Sequence, residues 1–237
     1  AREATERGAG TYCIVTAGRG PLETDFTRIE ETVRRIKQEY RFRVCVSPGL
    51  LTPEQAKRLR AAGVNRVNHN LNTSERFYQK ICTTHSYQDR VNTLRAVRGA
   101  GLEICSGGIV GMGETDEDVV ELALQLGEFE VDALPVNFWL PIEGTILAEK
   151  TAPRPLDPRY CLKVLAMFRL TNPKTVLRMA AGREVHLGPL QPLGLYVADS
   201  MFVGDYLTTK GQPPKEDYAM IEALGFEVVK EDAEKEP

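Results

Sequence analysis

Phe42-Arg43-Val44-Cys45-Val46-Ser47, Thr52-Pro53-Glu54-Gln55 and Arg66-Val67-Asn68-His69-Asn70 follow one another within residues 42–70, and their reading decides the fold. The first segment is short, apolar and rich in valine, which predicts a strand over 42–47. Thr52 with Gln55 three residues later, and proline at the first helical position, marks a capped helix start. Gly63 supplies the stop, and a second strand is predicted over 66–70. Strand, helix and strand in this order make one βαβ unit of a parallel sheet.

The alternation continues on both sides. Upstream, a strand over 11–16 precedes a helix in which Phe26, Ile29, Val33 and Ile36 fall at helical spacing, with Arg28, Glu30, Glu31, Arg34 and Lys37 assigned to the opposite face. Downstream, Ser86 caps a helix carrying Val91, Leu94 and Val97 and ending at Gly99 to Gly101, before a strand over 103–109. Thr115 opens a helix with Val119, Leu122, Ala123 and Leu126 inward, followed by a strand over 132–138. Asp157-Pro158 opens another with Leu162, Leu165 and Phe168, and strands over 175–179 and 199–203 and a helix over 216–224 complete the series. About seven strands with helices outside them predict an α/β fold, a (β/α)8 barrel of TIM type that lacks its first βα unit, since the chain opens on what reads as an interior unit. The expected organisation is one domain over 1–229 and a charged, disordered tail over 230–237.

Composition narrows the function. With 237 residues, 42% hydrophobic and 27% charged, the chain can bury a substantial core. A formal charge of −3 and scattered basic residues argue against nucleic acid and for a small-molecule substrate. No apolar run is long enough for a membrane helix, and Ala1 to Arg7 holds no hydrophobic signal core, so a cytoplasmic location without membrane contact is expected. The five cysteines are odd in number and widely spaced, unlike a secreted disulfide framework.

Cys13, Cys45 and Cys105 each sit on a predicted strand, spaced by 32 and 60 residues, one βα repeat and then two. Equivalent heights on neighbouring strands would bring three thiols toward a common centre, the donor set of a soft metal or iron–sulfur cluster. Each alone reads more readily as a small buried hydrophobe, as Cys82 and Cys161 do, and it is the three at matching strand positions that favour ligands. His69, His85 and His186 lack metal-ligand spacing. Asn68, His69, Asn70, Asn72 and Thr73 cluster at the C-terminal end of a strand, where barrel enzymes bind ligands, although asparagines also serve turns and caps there. Gly107 to Gly113 is a glycine-rich segment that either admits a nucleotide-like cofactor to the backbone or makes tight turns.

Gly10-Thr11-Tyr12-Cys13-Ile14-Val15, Asn68-His69-Asn70-Leu71-Asn72-Thr73-Ser74, Cys105-Ser106-Gly107-Gly108-Ile109-Val110-Gly111-Met112, Pro135-Val136-Asn137-Phe138 and Ala181-Gly182-Arg183-Glu184 together resemble the biotin synthases, radical S-adenosylmethionine enzymes. The resemblance runs from about residue 8 to about 228 and is nearest to the branch found in Gram-positive bacteria, with Asn72 where other members carry aspartate. It implies sulfur insertion into dethiobiotin, a [2Fe-2S] cluster as sulfur donor, and S-adenosylmethionine cleaved at a [4Fe-4S] cluster. It further implies Cys13, Cys45, Cys105 and Arg178 as ligands and catalytic groups of the [2Fe-2S] cluster. Chemistry alone would not select Arg178, because a guanidinium stays protonated and reads as half of a buried salt bridge. By the same resemblance Asn70, Asn72 and Arg90 hold S-adenosylmethionine, Ile109 and Leu140 pack on its adenine, Asn68 and Asn137 bind the ureido ring of dethiobiotin, and Thr208 and Thr209 receive its carboxylate. A homodimer and an electron donor of the flavodoxin or ferredoxin type are also implied.

One departure is large. The family's [4Fe-4S] ligands form a CxxxCxxC motif, and no two of the five cysteines here lie close enough to make it. The chain as given is therefore expected to be an N-terminally truncated form, inactive alone. The alternative is a non-catalytic remnant of the family that binds an iron–sulfur cluster or dethiobiotin.

Overall fold

The computed structural model describes residues 1–6, 9–150, 156–206 and 209–229, so Thr208 and the predicted tail lie outside the described residues. Two compact units are present, one built from Ala1–Asn70 and Thr84–Cys105 with Val229, the other from Leu71–Thr83 and Ser106–Val228. The first holds strands β1 (Thr11–Val15), β2 (Arg43–Ser47), β3 (Arg66–Asn68) and β4 (Glu103–Cys105), paired in that order and all parallel. The second holds β5 (Gly108–Val110), β6 (Ala133–Phe138), β7 (Val176–Met179) and β8 (Ser200–Met201), again parallel. The expected α/β class is observed. β4 and β5 are the two halves of the strand predicted over 103–109, interrupted at Ser106-Gly107, and counted together they make seven parallel strands.

The helices start where side chains can satisfy the free N–H groups of a first turn. Thr52 Oγ1 accepts from Gln55 N at 3.2 Å while Gln55 Oε1 accepts from Thr52 N at 3.0 Å, and helix Pro53–Ala62 ends at Gly63 with φ of 99°. Ser86 with Asp89 caps helix Tyr87–Gly99, and Thr115 with Asp118 caps helix Asp116–Glu128. Asp157 accepts from Arg159 N at the start of helix Pro158–Thr171. On that last helix Cys161 and Val164 join Leu165 and Phe168 in the core, and the expected Leu162 is only half-buried.

One face assignment needs correction. Glu30 of helix Glu23–Glu39 was expected among the solvated charges but is 5% exposed, because Arg58 of the neighbouring helix and Arg34 both donate to its carboxylate. A helical period locates the apolar stripe, but it cannot see a guanidinium that arrives from another helix to cover its edge.

Alternation along the strands separates two faces. In the first unit Val44, Val46, Val67 and Ile104 are at most 1% exposed and meet the buried stripes of the helices. Each such side chain contributes about 1.5–3 kcal/mol on burial. The other face carries Cys13, Arg43, Cys45, Arg66, Asn68, Glu103 and Cys105, so nearly every strand residue with chemistry falls on the side away from the helices.

Candidate functional site

Parallel pairing sets Cys13 directly beside Cys45, with the two thiols within hydrogen-bonding distance. Cys105 is displaced. Cys45 pairs with Arg66 and Arg66 with Glu103, so Cys105 stands two residues, roughly 6.6 Å, further along the strands. The expected equal heights hold for two of the three cysteines; the third keeps the same face because two residues is one full strand period. Cys45 and Cys105 are buried and Cys13 is exposed. The hydrogen bond with Cys13 pushes the Cys45 thiol far above the ordinary cysteine range; burial and the nearby Cys13 and Cys105 add to this, and the Arg66 guanidinium opposes it. Cys45 therefore keeps its proton until a metal displaces it.

Among the described residues no three His, Cys, Asp or Glu side chains form a cage for a single metal ion. A two-iron cluster asks for something different, since its ligands divide between two irons and stand further apart. One adjacent thiol pair and a third thiol a strand period away, all soft donors, fit that requirement. Cys161 is an ordinary core residue, and burial pushes its thiol up to about 12.

The first unit also holds the amide-rich end of β3. Asn68 is the register partner of Cys105, and His69 N donates to Cys105 O at 2.9 Å. Arg90, on helix Tyr87–Gly99, reaches back so that Nη1 donates to Asn70 O at 2.6 Å. The structure thus brings Asn68, Asn70 and Arg90 together with the cysteine strands. His69 is 5% exposed, and burial first, then Arg90 and His85, push it down to about 3, so it is neutral; its Nε2 has no partner among the described residues. His186 is a structural residue, with Nδ1 accepting from Leu156 N and Nε2 against Trp139 O.

The remaining predicted residues belong to the second unit. Ile109, Asn137 and Arg178 share one strand face, Ile109 opposite Asn137 and Arg178 opposite Pro135 and Ser200. Asn137 uses its amide as a brace, Nδ2 donating to Gly108 O at 3.1 Å and Oδ1 accepting from Ala181 N at 3.2 Å. One N–H and one lone pair are left over. Arg178 donates from Nε to Ser200 Oγ at 2.9 Å and lies 5.3 Å over the Phe202 ring. Among the described residues no carboxylate pairs with it, so the buried salt bridge that arginine chemistry favours is not its role. Leu140 follows β6 and is half-buried, and Thr209 O accepts from Tyr206 N.

Within the glycine-rich segment, Gly107 serves packing. A Cβ on Gly107 would stand 1.9 Å from Pro135 O, so this glycine lets the chain pass against β6 and leaves no space there for a cofactor. Asn72 is bridged to Gly108 with a φ of 72°, its N–H donating to Gly107 O and its carbonyl accepting from Ile109 N.

Sequence reading missed two charged groups. Arg66 and Arg43 both bond Glu103 on the cysteine face of the first unit. Arg183, fully buried, is held by both oxygens of Asp217 at 2.8 Å in the second. Neither cluster has a local motif, because its partners are up to 60 residues apart.

Two family models match this chain, the Radical SAM superfamily over residues 1–126 and the Biotin and Thiamin Synthesis associated domain over 135–227. A biotin synthase of Rhodopirellula baltica is 58% identical over 96% of this chain and 63% of its own length. One from Lysinibacillus sphaericus is 55% identical over 96% of this chain and 68% of its own length. The chain therefore spans about two thirds of the curated relatives it matches. The solved structure of a methylornithine synthase shares the fold, with a TM-score of 0.74 at 23% identity over 94% of this chain and 70% of that one. Such identity, sustained across both the cysteine strands and the β5 to β8 unit, means that the chain belongs to the biotin synthase family of radical SAM proteins.

Proposed function

We propose that this chain carries the sulfur-insertion site of a biotin synthase, a sulfurtransferase of the radical SAM class acting on dethiobiotin. The observation that carries the reading is the placement of Cys13, Cys45 and Cys105 on one strand face, two of them in contact. When bound, a [2Fe-2S] cluster supplies the sulfur to be inserted and S-adenosylmethionine supplies the 5′-deoxyadenosyl radical that abstracts hydrogen. The chain's own residues bind and orient. Cys13, Cys45 and Cys105 are the thiolate ligands, and Arg178, which no carboxylate among the described residues neutralises, is the fourth.

Asn68 and Asn137 present amides that both donate and accept, matching a flat ureido group, and the bracing of Asn137 fixes which N–H and lone pair remain for it. Asn70, Asn72 and Arg90 hold S-adenosylmethionine, Ile109 and Leu140 its adenine, and Thr208 and Thr209 the dethiobiotin carboxylate. The contact of Arg90 with Asn70 supports treating those two as one unit. The reading brings with it a cytoplasmic homodimer and an electron donor of flavodoxin or ferredoxin type. No described helix is long and apolar enough to cross a membrane.

Anaerobic reconstitution with iron and sulfide tests this, with Cys45→Ala as control. The expected result is about two irons per chain with a visible charge-transfer spectrum, both lost in the control. Absence of a cluster, or one indifferent to Cys45, would sink the reading.

A further inference from the structure

We infer that Arg183 and Glu184 are positioning residues that set where the dethiobiotin carboxylate is received, by clamping the segment of chain that carries Thr209. The inference rests on the reading of Thr209 as part of the carboxylate site and of Asn137 as part of the ureido site. Arg183 and Glu184 open the short helix Arg183–His186 after β7, and every residue involved belongs to the second unit.

The two side chains grip different parts of one segment. Arg183 Nη2 donates to Phe202 O at 3.2 Å and to both carboxylate oxygens of Asp217 at 2.8 Å, so one guanidinium ties the residue after β8 to helix Pro214–Ala223. Glu184 Oε1 accepts from the Tyr206 hydroxyl at 2.8 Å and from Gln212 N at 3.3 Å. Anchors at 202, 206, 212 and 217 therefore bracket Thr209 from both sides, and Tyr206 N donates to Thr209 O at 2.9 Å. The bracket is narrowest where Gly211 passes Gly204, since a Cβ on Gly211 would stand 2.0 Å from Gly204 O.

The root of the clamp is fixed to the strand of Asn137. Gly182 has a φ of 83°, and a Cβ on it would stand 2.1 Å from Phe138 O, so Arg183 begins hard against the end of β6. Its neighbour Ala181 N is the group that donates to Asn137 Oδ1 at 3.2 Å. Ala181-Gly182-Arg183-Glu184 thus runs from the amide that takes the ureido ring to the segment that takes the carboxylate, and it sets the spacing between the two polar ends of one substrate. A buried ion pair such as Arg183 with Asp217 is weak evidence of added stability, because desolvation offsets much of the attraction. Holding both ends of a ligand is a different demand, since supports must then be fixed to within about 0.5 Å.

The test is the affinity of the reconstituted 237-residue chain for dethiobiotin and for its uncharged alcohol analogue, read by isothermal titration calorimetry, with circular dichroism confirming the fold of each variant. The wild type is expected to bind dethiobiotin more tightly than the alcohol. Glu184→Ala, Tyr206→Phe and Arg183→Lys are each expected to weaken dethiobiotin about tenfold while the alcohol binds as before. Glu184→Gln, whose amide oxygen still accepts both bonds, should stay near the wild type. Tyr206→Phe, which changes the shape least, decides the matter should the variants at 183 and 184 fail to fold. A wild-type chain that prefers dethiobiotin, with folded variants that bind both ligands as it does or lose both alike, overturns this inference alone. A wild-type chain without that preference removes it together with the carboxylate reading beneath it.

Discussion

Asn72 shows how a single position can answer to backbone and ligand at once. Its φ of 72° belongs to the left-handed region, which costs an ordinary L-residue roughly 1–2 kcal/mol and which asparagine, aspartate and glycine enter most readily. The backbone bonds to Gly107 and Ile109 hold it there. Asparagine and aspartate are thus interchangeable for the fold, and the choice between them falls to the ligand. Asn72→Ala is expected to lower stability by about 1 kcal/mol in urea denaturation, with Asn72→Asp and Asn72→Gly close to wild type. In equilibrium binding of S-adenosylmethionine, Asn72→Asp should bind more tightly, since a carboxylate accepts from a ribose hydroxyl more strongly than an amide does. Equal stability in all variants would remove the backbone argument; unchanged binding in Asn72→Asp would remove the ribose role. At this scale the sequence reveals which residues carry chemistry but not who their partners are. The cysteines and strand-end amides are legible because few other residues do what they do. Arg66, Arg183 and the burial of Glu30 are illegible because each depends on a carboxylate or guanidinium brought in from a distant part of the chain.

Elements begin where a side chain closes the first turn, and Asp118 does this for two helices. Its carboxylate caps its own helix by accepting from Thr115 N at 2.8 Å, and it also accepts from Ser74 Oγ at 2.6 Å, where Ser74 caps helix Glu75–Ile81. Arg76 adds a third donor at 3.0 Å. Burial works to raise this carboxyl, but the bonds from Ser74, Thr115 and Arg76 hold it well below the usual carboxylate range. In the unfolded chain the same group titrates near 3.9. Its contribution to stability is therefore complete above about pH 4 and is lost as the pH falls further, when the unfolded state takes up a proton that the folded state does not. Asp118→Ala should cost about 3 kcal/mol at pH 7. The gap between wild type and Asp118→Asn should be widest at neutral pH and narrow below pH 4, and a gap that stays constant with pH would contradict the assignment. The starts at Thr52, Ser86, Thr115 and Asp157 can be read in advance because capping is local. Helix Glu75–Ile81 cannot: it is too short to show a period, and its cap is fixed by a residue 44 positions away.

For the molecule as a whole, the decisive quantity is its complement of cysteines. Three of the five share one strand face, Cys161 is sealed in the core, and Cys82 ends helix Glu75–Ile81 as its cap. A [4Fe-4S] cluster of the radical SAM kind takes three thiolates from a CxxxCxxC segment, and none of the five belongs to one. The chain spans 63% of the Rhodopirellula protein and 68% of the Lysinibacillus protein. Cluster loading and radical generation should therefore separate. Reconstituted with iron and sulfide, these 237 residues are expected to take up the cluster lost in Cys45→Ala, yet to form no 5′-deoxyadenosine from S-adenosylmethionine and dithionite. Joining a CxxxCxxC-bearing segment ahead of Ala1 should raise iron from about two to about six per chain and start deoxyadenosine formation. Deoxyadenosine from the 237 residues alone would mean that Cys82 or the Cys13 set can hold a reducing cluster by itself, and the division of labour argued from the strand register would fall. Its absence even with six irons bound would place the fault in cofactor binding, where Asn70, Asn72 and Arg90 are the residues to vary next.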